Sequence, residues 1–274
     1  MSDPNDNNTN TDQPPTLIQE HSHHQDSTDT TTTVDPSTLP KTKDFNPRCP
    51  FCIISVTYPP IDPLDATTPS LSSSLSPTKL EPPSFILLTT PHAIAFLDIM
   101  PLTRGHVLVA PRHHRVKLGD MSPTESAELG RLLPIVARGV LRAVLPDIPH
   151  DQADYNIVQN NGPGAAQVVP HVHFHVVPRP PFGYVYPEQG KGKGKKYPPN
   201  KQPEPKLRNA ILFGRGMRED LDWDEAEILV EDMRRMVAEE WKRVGGVVIE
   251  GEGKAEERGK DARKQQKQRG DWKV

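Results

Sequence analysis

The sequence predicts an α+β fold, with an antiparallel sheet, one long helix and a C-terminal helix. Short β-branched or aromatic runs bounded by proline and glycine indicate strands, and they span residues 85–89, 93–97, 106–110, 155–159 and 171–177. An apolar stripe at helical spacing follows Ser122, and another lies between Trp223 and Arg243. Strands around one long helix are typical of the α+β class.

Both predicted helices carry a start signal. Ser122 and Glu125 form a capping box ahead of the long helix, and Asp222 and Glu225 form the corresponding pair ahead of the C-terminal one. Pro134 lies inside the long helix, where proline can kink the axis. The buried face is predicted to consist of Leu129, Leu132, Leu133, Val136, Ala137, Val140, Leu141, Val144 and Leu145 in the long helix, and of Leu229, Met233, Met236, Val237 and Trp241 in the C-terminal helix.

Composition predicts one folded domain with polar additions. The 274 residues include 31 prolines and only 34% hydrophobic residues, so much of the chain cannot bury enough apolar surface to fold. We predict a disordered tail at 1–44, the domain at 45–185 with a low-complexity insertion at 58–84, a basic loop at 186–208, a helical extension at 209–246 and a charged tail at 247–274. The "HSHH" cluster at 21–24 is interpreted as part of the solvated tail.

Several classes of protein are not favoured. A net charge of -3 does not indicate a nucleic-acid binder, and no apolar run approaches the ~18 residues that a membrane span needs. The N-terminus resembles neither a secretory signal nor a transit peptide. We therefore expect a cytoplasmic or nuclear protein, or one present in both compartments. Its two cysteines do not form a disulfide framework.

Three histidines alternate with apolar residues in "VVPHVHFHVV" at 168–177. In a strand, His171, His173 and His175 share one side, while Val172, Phe174 and Val176 face the core. Three imidazoles in register cost too much desolvation to serve packing alone, so we expect them to face a cleft. Such a row can ligate a metal, or it can supply a neutral nucleophile. A polar strand face without chemistry is the remaining alternative.

The segment "QNNGPGAAQVVP" precedes the histidines. Its small residues allow the backbone to approach a ligand closely, and its N–H groups can bind an anion. A glycine-rich turn alone is weak evidence. Beside three histidines it favours a phosphate-sized ligand.

These motifs resemble the histidine triad superfamily, whose signature alternates three histidines with apolar residues. The chain has "HVHFHVV" followed by "PR", and upstream "CPFCII", "AFLDIMPLTRGHVLVAPRHH" and "NNGPGAAQVVPHVHFH". The resemblance covers about residues 48–180 without the insertion. It implies a HIT-like fold, a homodimer and an enzyme that is a nucleotidyl hydrolase or transferase acting on a purine nucleotide.

The resemblance also implies catalytic roles. His173 matches the histidine that attacks the α-phosphate, forms a covalent histidine–NMP intermediate and is then released by water. His175 matches a residue that contacts phosphate oxygens, and His106 one that supports the nucleophile. Asn160 and Gln167 match polar positions that hold the phosphate and the leaving-group side. No organic cofactor is implied.

The matching nucleotide pocket centres on Asp98, which corresponds to the carboxylate that accepts the ribose hydroxyls. A plain turn residue is its alternative interpretation. The apolar base pocket is matched by Phe96 and Ile99, together with Ile53 or Ile54. Ordinary core packing is the alternative for each of these residues.

Family branches with a CxxC pair bind a structural zinc. The matching ligands are Cys49, Cys52, His114 and His171, with His113 as the alternative to His114. Under that interpretation His171 anchors the segment and does no chemistry. A redox CxxC pair is less favoured, because no thioredoxin-like βαβ pattern surrounds it.

Val168 is a departure from the pattern, since many relatives carry a serine or threonine there, and it removes one hydroxyl donor. The leading function is release of NMP from a nucleoside phosphoramidate, as an adenosine 5′-monophosphoramidase does. A dinucleoside polyphosphate hydrolase, a nucleotide-binding scaffold with little catalysis and a purely metal-binding strand are the alternatives. The "GKGKGKK" run near 190–196 is interpreted as a solvated loop that could contact a polyphosphate.

Overall fold

The structure is a computed structural model that describes residues 42–68, 73–181, 184–187 and 218–245. The histidine cluster at 21–24 and the basic run at 190–196 lie outside the described residues, as do nearly all of the two predicted tails. Among the described helices, none is both long and apolar enough to span a bilayer.

A five-stranded antiparallel sheet forms the centre of the domain, which confirms the predicted fold class. Its order is β1-β2-β3-β5-β4, and its strands are β1 (Ile86–Thr89), β2 (Ala93–Leu97), β3 (Val107–Pro111), β4 (Asp154–Gln159) and β5 (Phe174–Arg179). All residues of β1, β2 and β3 are buried. Successive side chains alternate between two core clusters, since Ala95 and Leu97 enter one and Ile94 and Phe96 the other.

Two long helices cover one face of the sheet. They are α2 (Pro123–Val144) and α3 (Trp223–Arg243), and both begin at the predicted caps. The Ser122 Oγ accepts the Glu125 N–H while the Glu125 carboxylate accepts the Ser122 N–H, and α2 continues through Pro134. A Cβ at Gly139 would lie 2.9 Å from the backbone of Val237. Glycine therefore allows the two helices to approach closely.

The opposite face is covered by α1 (Pro50–Thr57), a helix that the sequence patterns did not predict. The described parts of the 58–84 insertion pack beside it as short 3₁₀ turns. Tyr58 and Leu75 are fully buried, and the Arg112 guanidinium donates to the Tyr58 carbonyl oxygen at 2.9 Å. Two apolar anchors thus fasten a polar, proline-rich stretch to the domain.

The histidine strand is shorter than predicted. It begins at Phe174 and not at His171, because its pairing with both neighbours starts there: Phe174 lies opposite Val109 of β3 and Gln159 of β4. Beyond that point Pro111 has no N–H to offer, and its carbonyl oxygen lies 2.9 Å from His171 Nε2. His171 and His173 therefore lie in the loop that enters β5.

Candidate active site

The three histidine rings are largely buried, and the prediction that they face a cleft stays a prediction. Their exposed fractions are 0% for His171, 5% for His173 and 8% for His175. The reason is the unpredicted helix α1, whose Phe51 ring packs edge-on against His171 and His173, with centroids 5.7 and 5.2 Å away. On the other side Val172 and Val176 are fully buried.

His173 is oriented by a backbone carbonyl. Its Nδ1 lies 2.6 Å from the His171 carbonyl oxygen, which can only accept, so Nδ1 carries the proton. In the neutral ring the lone pair is then on Nε2, the nitrogen available to attack an electrophile. Burial lowers the pKa of His173, which favours this uncharged form near neutral pH.

His106 and His175 form a hydrogen-bonded chain. The Leu102 N–H donates to His106 Nδ1 at 3.2 Å, so the proton of His106 is on Nε2, 2.9 Å from His175 Nδ1. That nitrogen therefore accepts, and the proton of His175 is on Nε2. Burial lowers the pKa of His106 to about 3 and that of His175 to about 4, so both are neutral. This series of hydrogen bonds leaves the Nε2–H of His175 as a donor.

Asp98 follows β2 and lies at the same end of the sheet. Its Oδ1 accepts the Met100 N–H at 2.9 Å, and its Oδ2 lies 3.4 Å from His106 Nδ1 and 4.0 Å from His175 Nδ1. The side chain of Asp98 is 8% exposed. A carboxylate thus lies beside the hydrogen-bonded pair of His106 and His175, and its role toward a ribose stays a prediction.

Four residues could hold a metal ion: Cys49, Cys52, His114 and His171 bring one ligand atom each to within 4.8 Å of one another. His171 Nδ1 lies 3.3 Å from Cys49 Sγ, and His114 Nδ1 lies 3.4 Å from Cys52 Sγ. Because His171 donates Nε2–H to the Pro111 carbonyl, its Nδ1 lone pair faces the thiols. Backbone hydrogen bonds that set the tautomer of a ligand are usual at metal sites.

The alternative ligand His113 is excluded from this cluster by its position. Its Nδ1 contacts Glu125 Oε1 at 2.9 Å, and its side chain is 49% exposed. A second group, Asp98, His106 and His175, also gathers three ligand atoms. Two of its imidazoles are joined to each other by a hydrogen bond, so we interpret that group as a hydrogen-bonded network.

Gln167 contacts backbone groups with its whole amide. Oε1 accepts the Gly162 N–H at 2.6 Å, and Nε2 donates to Val116 O at 2.9 Å and to His171 O at 3.2 Å. The same His171 carbonyl orients His173. In the described arrangement Gln167 therefore supports the position of His173 through the backbone, and its role toward a phosphate stays a prediction.

The glycine-rich turn is less open to an anion than expected. The N–H groups of Ala165 and Gln167 donate to Gly162 O, and the Ala166 N–H donates to Pro163 O. Gly162 adopts φ +106, which favours glycine. These amides close the turn on itself, and the neighbouring Val168 is 90% exposed, so its side chain is accessible to a ligand.

The remaining predicted pocket residues differ in exposure. Phe96 is buried against Phe51, with ring centroids 5.2 Å apart, whereas Ile99 is 48% exposed. Ile53 is half-buried and Ile54 is buried. Asn160 directly follows Gln159, which pairs with Phe174, so it lies just beyond the end of β4 where β5 begins.

Two residues that contact the candidate site were not predicted from the sequence. Phe51 packs over the triad, and its place in the cysteine motif gave no sign of this contact. Arg218 reaches Asp98 from the C-terminal segment, with Nη1 2.9 Å from Oδ2. The two residues are 120 positions apart, and no local pattern could have paired them.

Comparison with known proteins matches residues 79–182 to the HIT domain. The chain is 41% identical over 98 residues to an adenosine 5′-monophosphoramidase of Schizosaccharomyces pombe, covering 36% of this chain and 66% of that protein. It is 43% identical over 103 residues to the adenosine 5′-monophosphoramidase of Candida albicans, covering 37% and 65%. An uncharacterized HIT-like protein of Methanocaldococcus jannaschii is 39% identical over 101 residues, covering 36% of this chain and 71% of that one. The chain thus spans just under two thirds of the length of the two monophosphoramidases.

Proposed function

The chain belongs to the histidine triad family, and we propose that it hydrolyses nucleoside phosphoramidates to NMP, as an adenosine 5′-monophosphoramidase does. The observation that carries this proposal is the orientation of His173. Its Nδ1 is held by the His171 carbonyl at 2.6 Å, which leaves Nε2 as a neutral nucleophile. Similarity to the two fungal monophosphoramidases supports the substrate class.

The reaction has two steps at the α-phosphorus. His173 Nε2 forms a bond to phosphorus as the bond from phosphorus to the leaving nitrogen breaks, and that nitrogen takes up one proton from the solvent, which the second step returns. Water then attacks the histidine-bound NMP, releases one proton, and His173 leaves as a neutral ring. The two steps together consume one water and restore the enzyme.

The surrounding groups stabilise this path. The N–H on His175 Nε2, fixed by the chain through His106 and Leu102, can donate to a phosphate oxygen as negative charge develops there. We propose that Asp98 accepts the ribose hydroxyls, a role that suits a carboxylate because its oxygens only accept hydrogen bonds. Ile99 and Ile53 offer apolar surface for the base.

Zinc fits the cysteine–histidine cluster. Two buried thiols and two Nδ1 atoms form the donor set that structural zinc prefers, and Cys49, Cys52, His114 and His171 would hold it. When bound, the ion supplies a cross-link between α1, the end of β3 and the loop before β5. We assign it no chemical step.

We also propose that the chain forms a homodimer. Strand β4 lies at the edge of the sheet, and Tyr155 and Ile157 on it are 37% and 42% exposed. Unpaired edge groups and apolar side chains suit association with a second copy. Light scattering on the full chain tests this, and a monomer at micromolar concentration would refute it.

The decisive experiment compares two substrates and two histidine variants. Wild-type protein, His173→Ala and the exposed control His150→Ala are each given adenosine 5′-phosphoramidate or diadenosine triphosphate, and AMP is quantified. We expect AMP from the phosphoramidate with wild type and His150→Ala only. Faster turnover of the triphosphate would favour the dinucleoside polyphosphate hydrolase, and AMP binding without any turnover would favour the scaffold.

A further inference from the structure

The segment that leads into α3 runs alongside the end of β2. The Leu221 N–H donates to Ile99 O at 3.0 Å, and the Glu219 N–H lies 3.4 Å from Pro101 O. Downstream, α3 is anchored by Met233 and Trp241, which are fully buried. This segment lies outside the residues that match the HIT domain, yet it borders Asp98.

Arg218 contacts the second carboxylate oxygen of Asp98, Oδ2. Its Nη1 lies 2.9 Å from Asp98 Oδ2 and 2.6 Å from Met100 O. The other oxygen, Oδ1, already accepts the Met100 N–H. Nearby His106 and His175 are neutral, so among the contacts described for this carboxylate Arg218 supplies the positive charge.

The two partners differ in burial. The side chain of Asp98 is 8% exposed and that of Arg218 is 37% exposed. A buried carboxylate needs a hydrogen-bonding partner, whereas a partly exposed guanidinium can turn into water at small cost. An incoming ligand with hydroxyl donors can therefore replace Arg218 on Asp98.

We propose that Arg218 competes with the sugar hydroxyls of the nucleotide for Asp98 and so sets affinity and sugar specificity. This inference rests on the proposed function, in which Asp98 accepts the ribose. A nucleotide with both hydroxyls displaces the guanidinium and satisfies Asp98. A nucleotide without them leaves Arg218 in place and gains nothing from the carboxylate.

The test measures binding of AMP and of 2′,3′-dideoxy-AMP to the full chain by calorimetry. Arg218→Ala is expected to lower the Kd of AMP about two- to fivefold, because the partly exposed ion pair no longer competes with the sugar hydroxyls. The Kd of the dideoxy nucleotide is expected to fall less. Arg218→Lys, which keeps a cation, is expected to remain near wild type. Arg235→Ala is the matched control, because Arg235 is an exposed arginine of α3 paired with Asp232.

Two results would overturn the proposal. The first is a Kd of AMP that is unchanged or raised in Arg218→Ala. The second is an equal shift for both nucleotides, which would mean that Arg218 acts on the phosphate by charge alone.

Failure of the proposed function gives a different pattern. If wild type releases no AMP from the phosphoramidate, the proposed function fails. If it does release AMP, but wild type and Asp98→Asn bind AMP and the dideoxy nucleotide with one common affinity, Asp98 is not the sugar acceptor, and only the inference about Arg218 falls. Wild type could also release AMP from the phosphoramidate and bind AMP more tightly than the dideoxy nucleotide. If Arg218→Ala then leaves the ratio of the two Kd values unchanged, only the role of Arg218 fails.

Discussion

His171 and His173 are two residues apart and carry their protons on opposite ring nitrogens. His171 donates Nε2–H to the Pro111 carbonyl and turns Nδ1 toward two thiols, whereas His173 donates Nδ1–H to the His171 carbonyl and so carries its lone pair on Nε2. In each case a backbone carbonyl selects the tautomer. The same side chain thus becomes a candidate metal ligand at one position and a candidate nucleophile at the next.

Replacing each histidine in turn is the strongest test of this difference. His173→Ala should reduce phosphoramidate hydrolysis at least about a thousandfold because the nucleophile is lost, with bound zinc retained. His171→Ala should lose zinc and lower the Tm by about 10 °C, since a buried ligand is removed. Metal analysis and calorimetry on both variants measure these effects. Loss of the metal in His173→Ala would contradict the assignment of His173 as the nucleophile and of His171 as the metal ligand.

Removing the metal is expected to lower the stability of the domain, because no chemical step is assigned to the ion. Treatment with a strong chelator is expected to lower the Tm of wild type by about 10 °C, and zinc added back should restore it. Cys52→Ser, which keeps the size of the side chain, should start at the lowered Tm and gain nothing from zinc. A chelator effect of equal size in Cys52→Ser would place the ion elsewhere.

The His106–His175 pair should make the domain sensitive to acid. Burial lowers the pKa of His106 to about 3. The charge of Asp98 raises this pKa, whereas His175, Arg218 and Arg179 lower it further. The unfolded chain takes up the proton near pH 6.5, so stability that is present above that pH is lost as the pH falls toward 3. Between pH 6.5 and 5 this histidine alone should cost about 2 kcal/mol of unfolding free energy.

Urea unfolding at several pH values measures that loss. His106→Gln should show a shallower decline than wild type, while the exposed His150→Gln should keep the wild-type slope. Equal slopes in all three proteins would mean that His106 takes up its proton in the folded state as readily as in the unfolded chain.

The smallest effect is expected at Gln167. Gln167→Glu keeps the shape but removes both N–H donors to Val116 O and His171 O. Since those bonds hold the carbonyl that orients His173, kcat should fall about tenfold with little change in KM, and ¹⁵N spectra should show a mixed tautomer for His173. The exposed Gln152→Glu is the control, and a rise in KM alone would instead assign Gln167 to substrate binding.

Local patterns predicted several elements well because local forces determine them. The caps at Ser122 and Asp222 lie within three residues of their partners, so α2 and α3 start where the sequence indicates. The strands β1, β2 and β3 were predicted to within about one residue for the same reason. By contrast α1 and the buried anchors Tyr58 and Leu75 sit in segments rich in proline, serine and threonine, and their burial depends on distant contacts.

The sequence by itself determined the antiparallel sheet and the two long helices, because alternation and helical spacing are local patterns. It also singled out the histidines, the two cysteines and Asp98 as candidate site residues, because their motifs are carried by a resemblance. Only the tertiary structure decided which nitrogen of each histidine is available, that His114 and not His113 faces the thiols, and that Arg218 lies on Asp98. Those outcomes depend on the positions of Pro111 O, Glu125 and the C-terminal segment. Hydrogen bonds between residues so far apart in sequence are set by packing, and no periodicity along the chain encodes them.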